Sequence, residues 1–261
     1  MSQQKSDTSV RSRPPVTGTA IQPKRKRAPF FVELYRTAVG KKYVMAVTGL
    51  MGLGFVFTHM LGNLKMYLGP VHFDEYAEWL RTLLVPFLPR TVALWLLRFG
   101  LVGAIILHIH SAVTLTIMNR KARPVAYQSK RDYIAADYAS RTMRWSGIIV
   151  FLFIAWHLFD LSWTGTGQHY VRGATYANVV NSLDRWPVAI FYIVANLALG
   201  FHLYHGVWSL FQSLGWNNPR FNRWRRSLAV GFAAVVCGGN ISFPIMVLAG
   251  VVGHLPVGVL S

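Results

Sequence analysis

The chain has 261 residues, of which 53% are hydrophobic and only 14% are charged, and its mean hydropathy is +0.34. This composition excludes an ordinary soluble domain and predicts an all-α integral membrane protein with several spans. The net charge of +18 does not indicate nucleic-acid binding, because the basic residues lie in a tail and in loops between apolar segments. Cys237 is the single cysteine, which excludes an intrachain disulfide and an all-cysteine metal cluster.

Residues 1–28 form a polar tail that carries a basic run at 24–27. No short apolar core with a small-residue cleavage site follows, so we expect no secretory signal peptide. The composition predicts a disordered basic cytoplasmic tail. An organelle transit peptide is a weaker alternative, since the tail is basic and contains serine.

Residues 29–261 are predicted to form one membrane domain. A spanning helix needs about 20 apolar residues, and five segments meet that length. We predict helices at about 43–63, 93–118, 145–165, 187–211 and 228–252. The loop 64–92 is predicted to contain a short amphipathic helix on the membrane face.

Basic residues predict the orientation of these helices, because Lys and Arg concentrate in cytoplasmic loops. The tail before residue 43, the loop 119–144 and the loop 212–227 share one side and hold 21 of the 27 Lys and Arg residues. We therefore expect a cytoplasmic N terminus and an outer C terminus in an energy-transducing cell membrane.

Six histidines lie within the first four predicted spans, where an ionisable side chain is costly and normally functional. From the cytoplasmic ends, the helical rise places His59 and His157 about 20–24 Å deep. The same count places His108 about 15 Å, His110 about 12 Å, His202 about 14 Å and His205 about 9 Å deep. The histidines therefore form an outer layer on the first and third spans and an inner layer on the second and fourth.

Paired histidines from neighbouring helices are the axial ligands that a buried haem needs. His108 and His110 point about 200° apart, so only one of them can face the centre of a four-helix bundle. His202 and His205 share one face of their helix. A hydrogen-bonded packing residue or a proton relay is the alternative for any one histidine.

The sequence around these histidines resembles the single-chain cytochrome b membrane anchor of succinate dehydrogenase and fumarate reductase over roughly residues 30–250. The residues that carry the resemblance are Thr58-His59-Met60-Leu61-Gly62-Asn63-Leu64, Leu115-Thr116, Asn119-Arg120-Lys121-Ala122-Arg123-Pro124, Trp156-His157-Leu158-Phe159-Asp160, His202-Leu203-Tyr204-His205-Gly206-Val207-Trp208-Ser209, Phe211-Gln212 and Leu214-Gly215.

The resemblance implies a five-helix anchor with one or two b haems and a quinone site. It implies that His108 and His205 bind the inner haem and that His59 and His157 bind the outer haem. His110 and His202 are alternates for the inner centre, because each is a second histidine on one of the two inner helices. It also implies a flavoprotein subunit and an iron–sulfur subunit on the cytoplasmic face, with membrane lipid around the helices. This chain alone would not oxidise succinate, because it has no dinucleotide fingerprint, cysteine cluster or flavin domain.

Quinone reduction takes up protons, so we expect the quinone near polar side chains at the cytoplasmic end. The candidates are Tyr35, Arg36, Lys42, Ser209 and Gln212, with Lys41, His110 and His202 nearby. Ordinary interface charge is the alternative for each residue taken singly.

Three alternatives stay open at the level of function. The chain could be the quinone-reactive cytochrome b subunit of another respiratory dehydrogenase, such as a hydrogenase or formate dehydrogenase. It could be a proton-coupled transporter with histidine relays, although the sequence shows no internal repeat of the kind such transporters carry. The inner centre could also be a histidine-ligated iron–sulfur cluster, with its cysteines supplied by a partner.

Overall fold

A computed structural model describes residues 28–122, 134–162, 170–171, 173–216 and 218–253 of the chain. Within these ranges there are eight α-helices and no strand: α1 Phe30–Arg36, α2 Ala38–Asn63, α3 Pro70–Arg81, α4 Val92–Ala122, α5 Ile134–Leu161, α6 Thr175–Leu183, α7 Trp186–Ser213 and α8 Pro219–Leu248. The predicted tail, apart from Ala28, lies outside the described residues.

Five of these helices, α2, α4, α5, α7 and α8, are long and apolar enough to cross a membrane. The prediction of an all-α membrane protein with five spanning helices is therefore confirmed. Their ends on the basic side extend beyond the predicted limits: α2 begins at Ala38, α4 continues to Ala122 and α8 begins at Pro219. Lys and Arg are good helix formers, so the helices continue through basic residues where the apolar pattern has already stopped.

The third and fifth spanning helices end a few residues before their approximate predicted limits. The third helix ends at Leu161 rather than 165, and the fifth ends at Leu248 rather than 252. Gly250 ends the fifth helix, because its φ of +70° is a left-handed conformation that suits glycine. The amides of Gly250 and Val251 then donate to the carbonyls of Val247 and Met246, at 2.9 and 3.0 Å, which is a Schellman motif.

The spanning helices associate as two antiparallel pairs. Helix α2 packs along α4 and α5 packs along α7, while the two pairs meet mainly through α2 and α7. Helix α8 packs outside them, chiefly against α7. Glycines permit these approaches: a Cβ on Gly239 would lie 2.6 Å from the sulfur of Met60, and one on Gly200 would lie 3.1 Å from that of Cys237.

Short helices close the outer end of the bundle. The predicted helix in the loop 64–92 is present as a 3₁₀ turn, Leu64–Leu68, followed by α3, and the sequence did not predict α6. Both α3 and α6 contribute to an apolar cluster with the spanning helices, formed by Met66, Phe73, Tyr176, Leu183, Tyr192, Phe243, Val247 and Val252. This cluster lies next to the outer histidines, through Phe153 and Tyr192.

Candidate redox centres

The outer histidines come from different helix pairs and meet across the bundle. His59 of α2 and His157 of α5 have ring centroids 5.9 Å apart, with an angle of 85° between their planes. Phe55 stacks on His59 at 5.3 Å, and Phe153 lies 5.7 Å from His157. The two rings are thus oriented by aromatic neighbours one helical turn away.

A buried polar network lies behind His157. Its Nδ1 is 3.2 Å from the hydroxyl of Tyr192, which in turn donates to Oδ2 of Asp160 at 3.1 Å. Asp160 is fully buried. Its Oδ1 accepts from Nη2 of Arg185 at 2.6 Å, and the hydroxyl of Ser182 donates to Oδ2. A carboxylate at this depth is stable only because it is paired and hydrogen-bonded.

The inner layer contains a second facing pair. His108 of α4 and His202 of α7 have ring centroids 6.5 Å apart, at an angle of 66°. Nδ1 of His108 is 3.2 Å from the carbonyl oxygen of Met45 and 3.2 Å from the hydroxyl of Thr48. Because a carbonyl only accepts, this nitrogen carries the proton, and Nε2 is left with a lone pair.

His202 is held in the same way from α5. The hydroxyl of Ser146 donates to the carbonyl of Met143 at 3.1 Å and lies 3.3 Å from Nδ1 of His202. Its proton is already used, so its oxygen accepts from the histidine. A hydrogen bond to one ring nitrogen fixes the tautomer and orients the other nitrogen, which is the usual support of a metal-binding histidine.

Glycines make room around the inner pair. A Cβ on Gly49 would lie 3.3 Å from Cε1 of His108, and a Cβ on Gly147 would lie 3.4 Å from Cε1 of His202. Around Gly52, Gly103 and Gly206 a Cβ would meet no atom within 4 Å. The rings of His108 and His202 therefore approach the backbone at Gly49 and Gly147 closely.

The other two inner histidines turn elsewhere. Nδ1 of His110 shares a hydrogen bond of 2.5 Å with the hydroxyl of Tyr35 on α1, and the two rings stack at 5.8 Å. Nε2 of His205 is 3.2 Å from the hydroxyl of Thr142 on α5. The resemblance implied the pair His108 and His205, whereas the ring that faces His108 is that of His202, one of the alternates.

The predicted quinone ligands do not form one group. The Tyr35 hydroxyl is 3.2 Å from the hydroxyl of Ser111, and Nζ of Lys41 lies 4.2 Å from the centre of the Tyr35 ring. The hydroxyl of Ser209 donates to the carbonyl of Gly206 in its own helix. Three further candidates lie exposed at the same end of the bundle: Arg36, Lys42 and Gln212.

An apolar groove of about 520 Å³ runs between α2 and α4 beside this polar group. Its lining includes Tyr43, Thr48, Gly100, Gly103 and Leu107. Thr48 links the groove to the inner pair, because the same hydroxyl contacts His108.

Each pair could hold one metal ion between its two rings. Two metal–nitrogen bonds of about 2 Å account for most of a 5.9 or 6.5 Å separation between imidazole centroids. Across the described ranges, no group of three or more His, Cys, Asp or Glu side chains is arranged to hold a metal ion. Two nitrogens on opposite sides are what a haem iron takes from a protein.

Residues 116–241 match the sequence model of the succinate dehydrogenase/fumarate reductase transmembrane subunit family. The match covers 126 of the 261 residues. The succinate dehydrogenase/fumarate reductase match includes His157, His202 and His205, and it agrees with the resemblance inferred from the histidine motifs. Searches of curated proteins and of solved structures found no match. This part of the chain is therefore similar to the membrane subunit of an oxidoreductase complex.

Sequence reasoning missed the residues that support the histidines. Asp160 had a signal, since it is an acidic residue at the end of an apolar span. Tyr192, Ser146 and Thr48 had none, because a hydroxyl in a helix is usually bonded to its own helix.

Proposed function

We propose that this chain is the membrane-anchor subunit of a succinate:quinone oxidoreductase. It would dock a flavoprotein subunit and an iron–sulfur subunit on its cytoplasmic face and pass their electrons to quinone. The observation that carries the proposal is the presence of two facing histidine pairs at two depths, in a chain that matches this family over residues 116–241. A packing role does not account for two such pairs in apolar helices.

The residues present fit two b haems, one held by His59 and His157 and the other by His108 and His202. Such a group, when bound, carries one electron at a time. Oxygen atoms on the neighbouring helices fix the tautomers of the inner histidines. Met45 and Thr48 lie against Nδ1 of His108 and Ser146 lies against Nδ1 of His202, so Nδ1 keeps the proton and Nε2 would be left for the metal. His205 has its Nε2 next to Thr142, which favours His202 as the inner ligand.

The inner end is also where this chain offers proton donors to a quinone. Tyr35 and His110 share a hydrogen bond of 2.5 Å. His110 could therefore give the proton on its Nε2 to a quinone oxygen while Nδ1 takes up the Tyr35 proton, and Tyr35 would then be reprotonated from water. The groove between α2 and α4 supplies apolar room for a quinone tail. Arg36, Lys42, Ser209 and Gln212 remain candidates at this end.

Charge supports the docking face. The sequence puts 21 of the 27 Lys and Arg residues in three segments that are expected on one side of the membrane. Such an excess marks the cytoplasmic side, and it attracts anionic lipid or an acidic protein surface. The same end is nearest to His108 and His202, which shortens the path for incoming electrons.

The test is a reduced-minus-oxidised optical spectrum of the purified complex, with its subunits identified. We expect the sharp α bands of bis-histidine haem, together with succinate-dependent quinone reduction. His202→Ala should remove the inner component, while His205→Ala should keep it. Succinate oxidation by an artificial dye serves as the assembly control and should persist in both variants.

Other outcomes would redirect the proposal. Loss of the inner component in His205→Ala, with His202→Ala unaffected, would restore the pairing implied by the resemblance. An active complex without α bands would exclude haem and favour a histidine-ligated iron–sulfur cluster with partner cysteines. Copurification with a different dehydrogenase would contradict the succinate assignment.

A further inference from the structure

The outer histidine pair is supported by a network that reaches across three elements. Tyr192 on α7 and Ser182 on α6 both donate to the carboxylate of Asp160. His157 on α5 is connected to that carboxylate through the Tyr192 hydroxyl. We propose that Tyr192 is a positioning residue of the outer centre: backed by Asp160, it fixes His157 in the tautomer that carries its proton on Nδ1. This inference rests on the proposed function, because it assigns a role towards a metal bound by His157.

The direction of each hydrogen bond follows from the buried charge. Nη2 of Arg185 lies 2.6 Å from Oδ1 of Asp160, and a guanidinium is always protonated. A carboxylate buried against it is ionised and can only accept. The Tyr192 hydroxyl therefore donates its single proton to Oδ2, at 3.1 Å.

The phenol oxygen then has only its lone pairs left. It lies 3.2 Å from Nδ1 of His157 and must accept from it. Nδ1 is consequently the protonated nitrogen, and Nε2 becomes the only ring nitrogen able to bind a metal. The charge of Asp160 thus selects the tautomer of His157 through one intervening hydroxyl.

The inner pair uses a different device. His108 and His202 bond to carbonyl and hydroxyl oxygens of the helix packed beside each of them. Those acceptors carry no net charge. His157 instead bonds to the Tyr192 hydroxyl, which donates to the Asp160 carboxylate. The nearby negative charge makes the imidazole of His157 more basic and a better electron donor to an oxidised metal. Arg185, with 31% of its side chain exposed, connects this anion to the outer surface.

Tyr192→Phe removes the acceptor and leaves the ring in place. In the purified complex, the less basic His157 should make the outer centre easier to reduce. At a fixed ambient potential, we expect the ratio of reduced to oxidised outer centre to rise about tenfold. For one electron, this corresponds to a rise of about 59 mV in the reduction potential of the outer centre. The inner centre should keep its ratio.

Tyr67→Phe is the matched control. It deletes a hydroxyl that donates to Ser242 at 2.6 Å, at the same end of the bundle but away from the histidines. Both centres should titrate as in the unmodified complex. An equal shift in Tyr67→Phe would show a general packing effect and overturn the assignment.

Ser182→Ala is an independent test, in which the reduction potential of the outer centre should shift in the opposite direction. Ser182 and Tyr192 donate to the same oxygen of Asp160, so removing the serine hydroxyl leaves that oxygen a stronger acceptor for the tyrosine. The outer centre should then be harder to reduce, and this variant decides the question if Tyr192→Phe fails to assemble. Unchanged outer ratios in the assembled variants would overturn the relay, whereas an unmodified complex without two spectral components would overturn the proposed function itself.

Discussion

The inner histidines show how much of a candidate centre depends on small residues that have no chemistry of their own. Gly49 and Gly147 allow the rings of His108 and His202 to lie against the backbones of α2 and α5. That position is what lets Nδ1 of each ring reach a hydroxyl or carbonyl on the adjacent helix. Any side chain at these glycines competes with the ring for the same space.

Gly49→Val tests this dependence. Valine is a better helix former than glycine, so the helix itself gains stability. A Cβ 3.3 Å from Cε1 of His108 forces the ring to move, and overpacking of this kind costs about 1–3 kcal/mol. We expect the inner haem content per polypeptide to fall about tenfold while the outer centre keeps its α band.

Gly231→Val is the control for this substitution. Gly231 lies on α8 with no atom within 4 Å of an added Cβ, and it is exposed. The haem content should not change. Equal losses at Gly49 and Gly231 would mean that the helix backbone, and not the ring contact, is responsible.

The depth of a residue along a helix can be predicted from the sequence, but the residue that its side chain contacts cannot. Counting residues separated His59 and His157 from the other four histidines, and those two rings do meet. The choice among four inner histidines depended on helix rotation. The bond between Tyr35 and His110 joins residues 75 positions apart and follows from α1 folding back onto α4. No local pattern encodes that contact.

At the scale of elements, the carboxylate of Glu78 on α3 forms ion pairs within its own helix and with the segment just before α4. Glu78 accepts from Arg90 at 2.6 Å and from Arg81 at 3.1 Å. Hydrogen bonds from Arg90 and then Arg81 lower the pKa of this carboxyl below its usual range. Its side chain is half-exposed, so the contribution to stability is small, but it acts on a helix that closes the outer end.

Glu78→Gln should loosen α3 only where the carboxylate is ionised. A depressed pKa gives stability that is present above the unfolded value of about 4.3 and is lost as pH falls through the folded value. At pH 7 the variant should therefore show faster amide hydrogen exchange in α3 than the unmodified protein. The difference should vanish in acid, once both proteins carry a neutral side chain.

Glu75→Gln makes the same chemical change one turn away. Glu75 faces only His72, at 3.9 Å, and both side chains are well exposed. Exchange in α3 should match that of the unmodified protein at either pH. A pH-independent effect of Glu78→Gln would indicate lost packing and contradict the ionic explanation.

For the whole molecule, the distribution of basic residues and the two histidine layers define the same axis. The described basic residues Lys41, Lys42, Arg120 and Lys121 lie at the end of His108 and His202. His59 and His157 lie towards the end closed by α3 and α6. Large apolar side chains such as Leu96, Phe99 and Leu152 remain exposed along the spanning helices, as a lipid-facing surface requires.

Reporter fusions determine that orientation. With 21 of the 27 basic residues on one side, we expect the N terminus and the loop 119–144 in the cytoplasm. A reporter that is active only after export should give signal when fused after residue 169 or at the C terminus, and none after residue 128. The reverse pattern would place the inner histidines far from cytoplasmic partners. It would then contradict the docking face while leaving the five-helix fold and both histidine pairs intact.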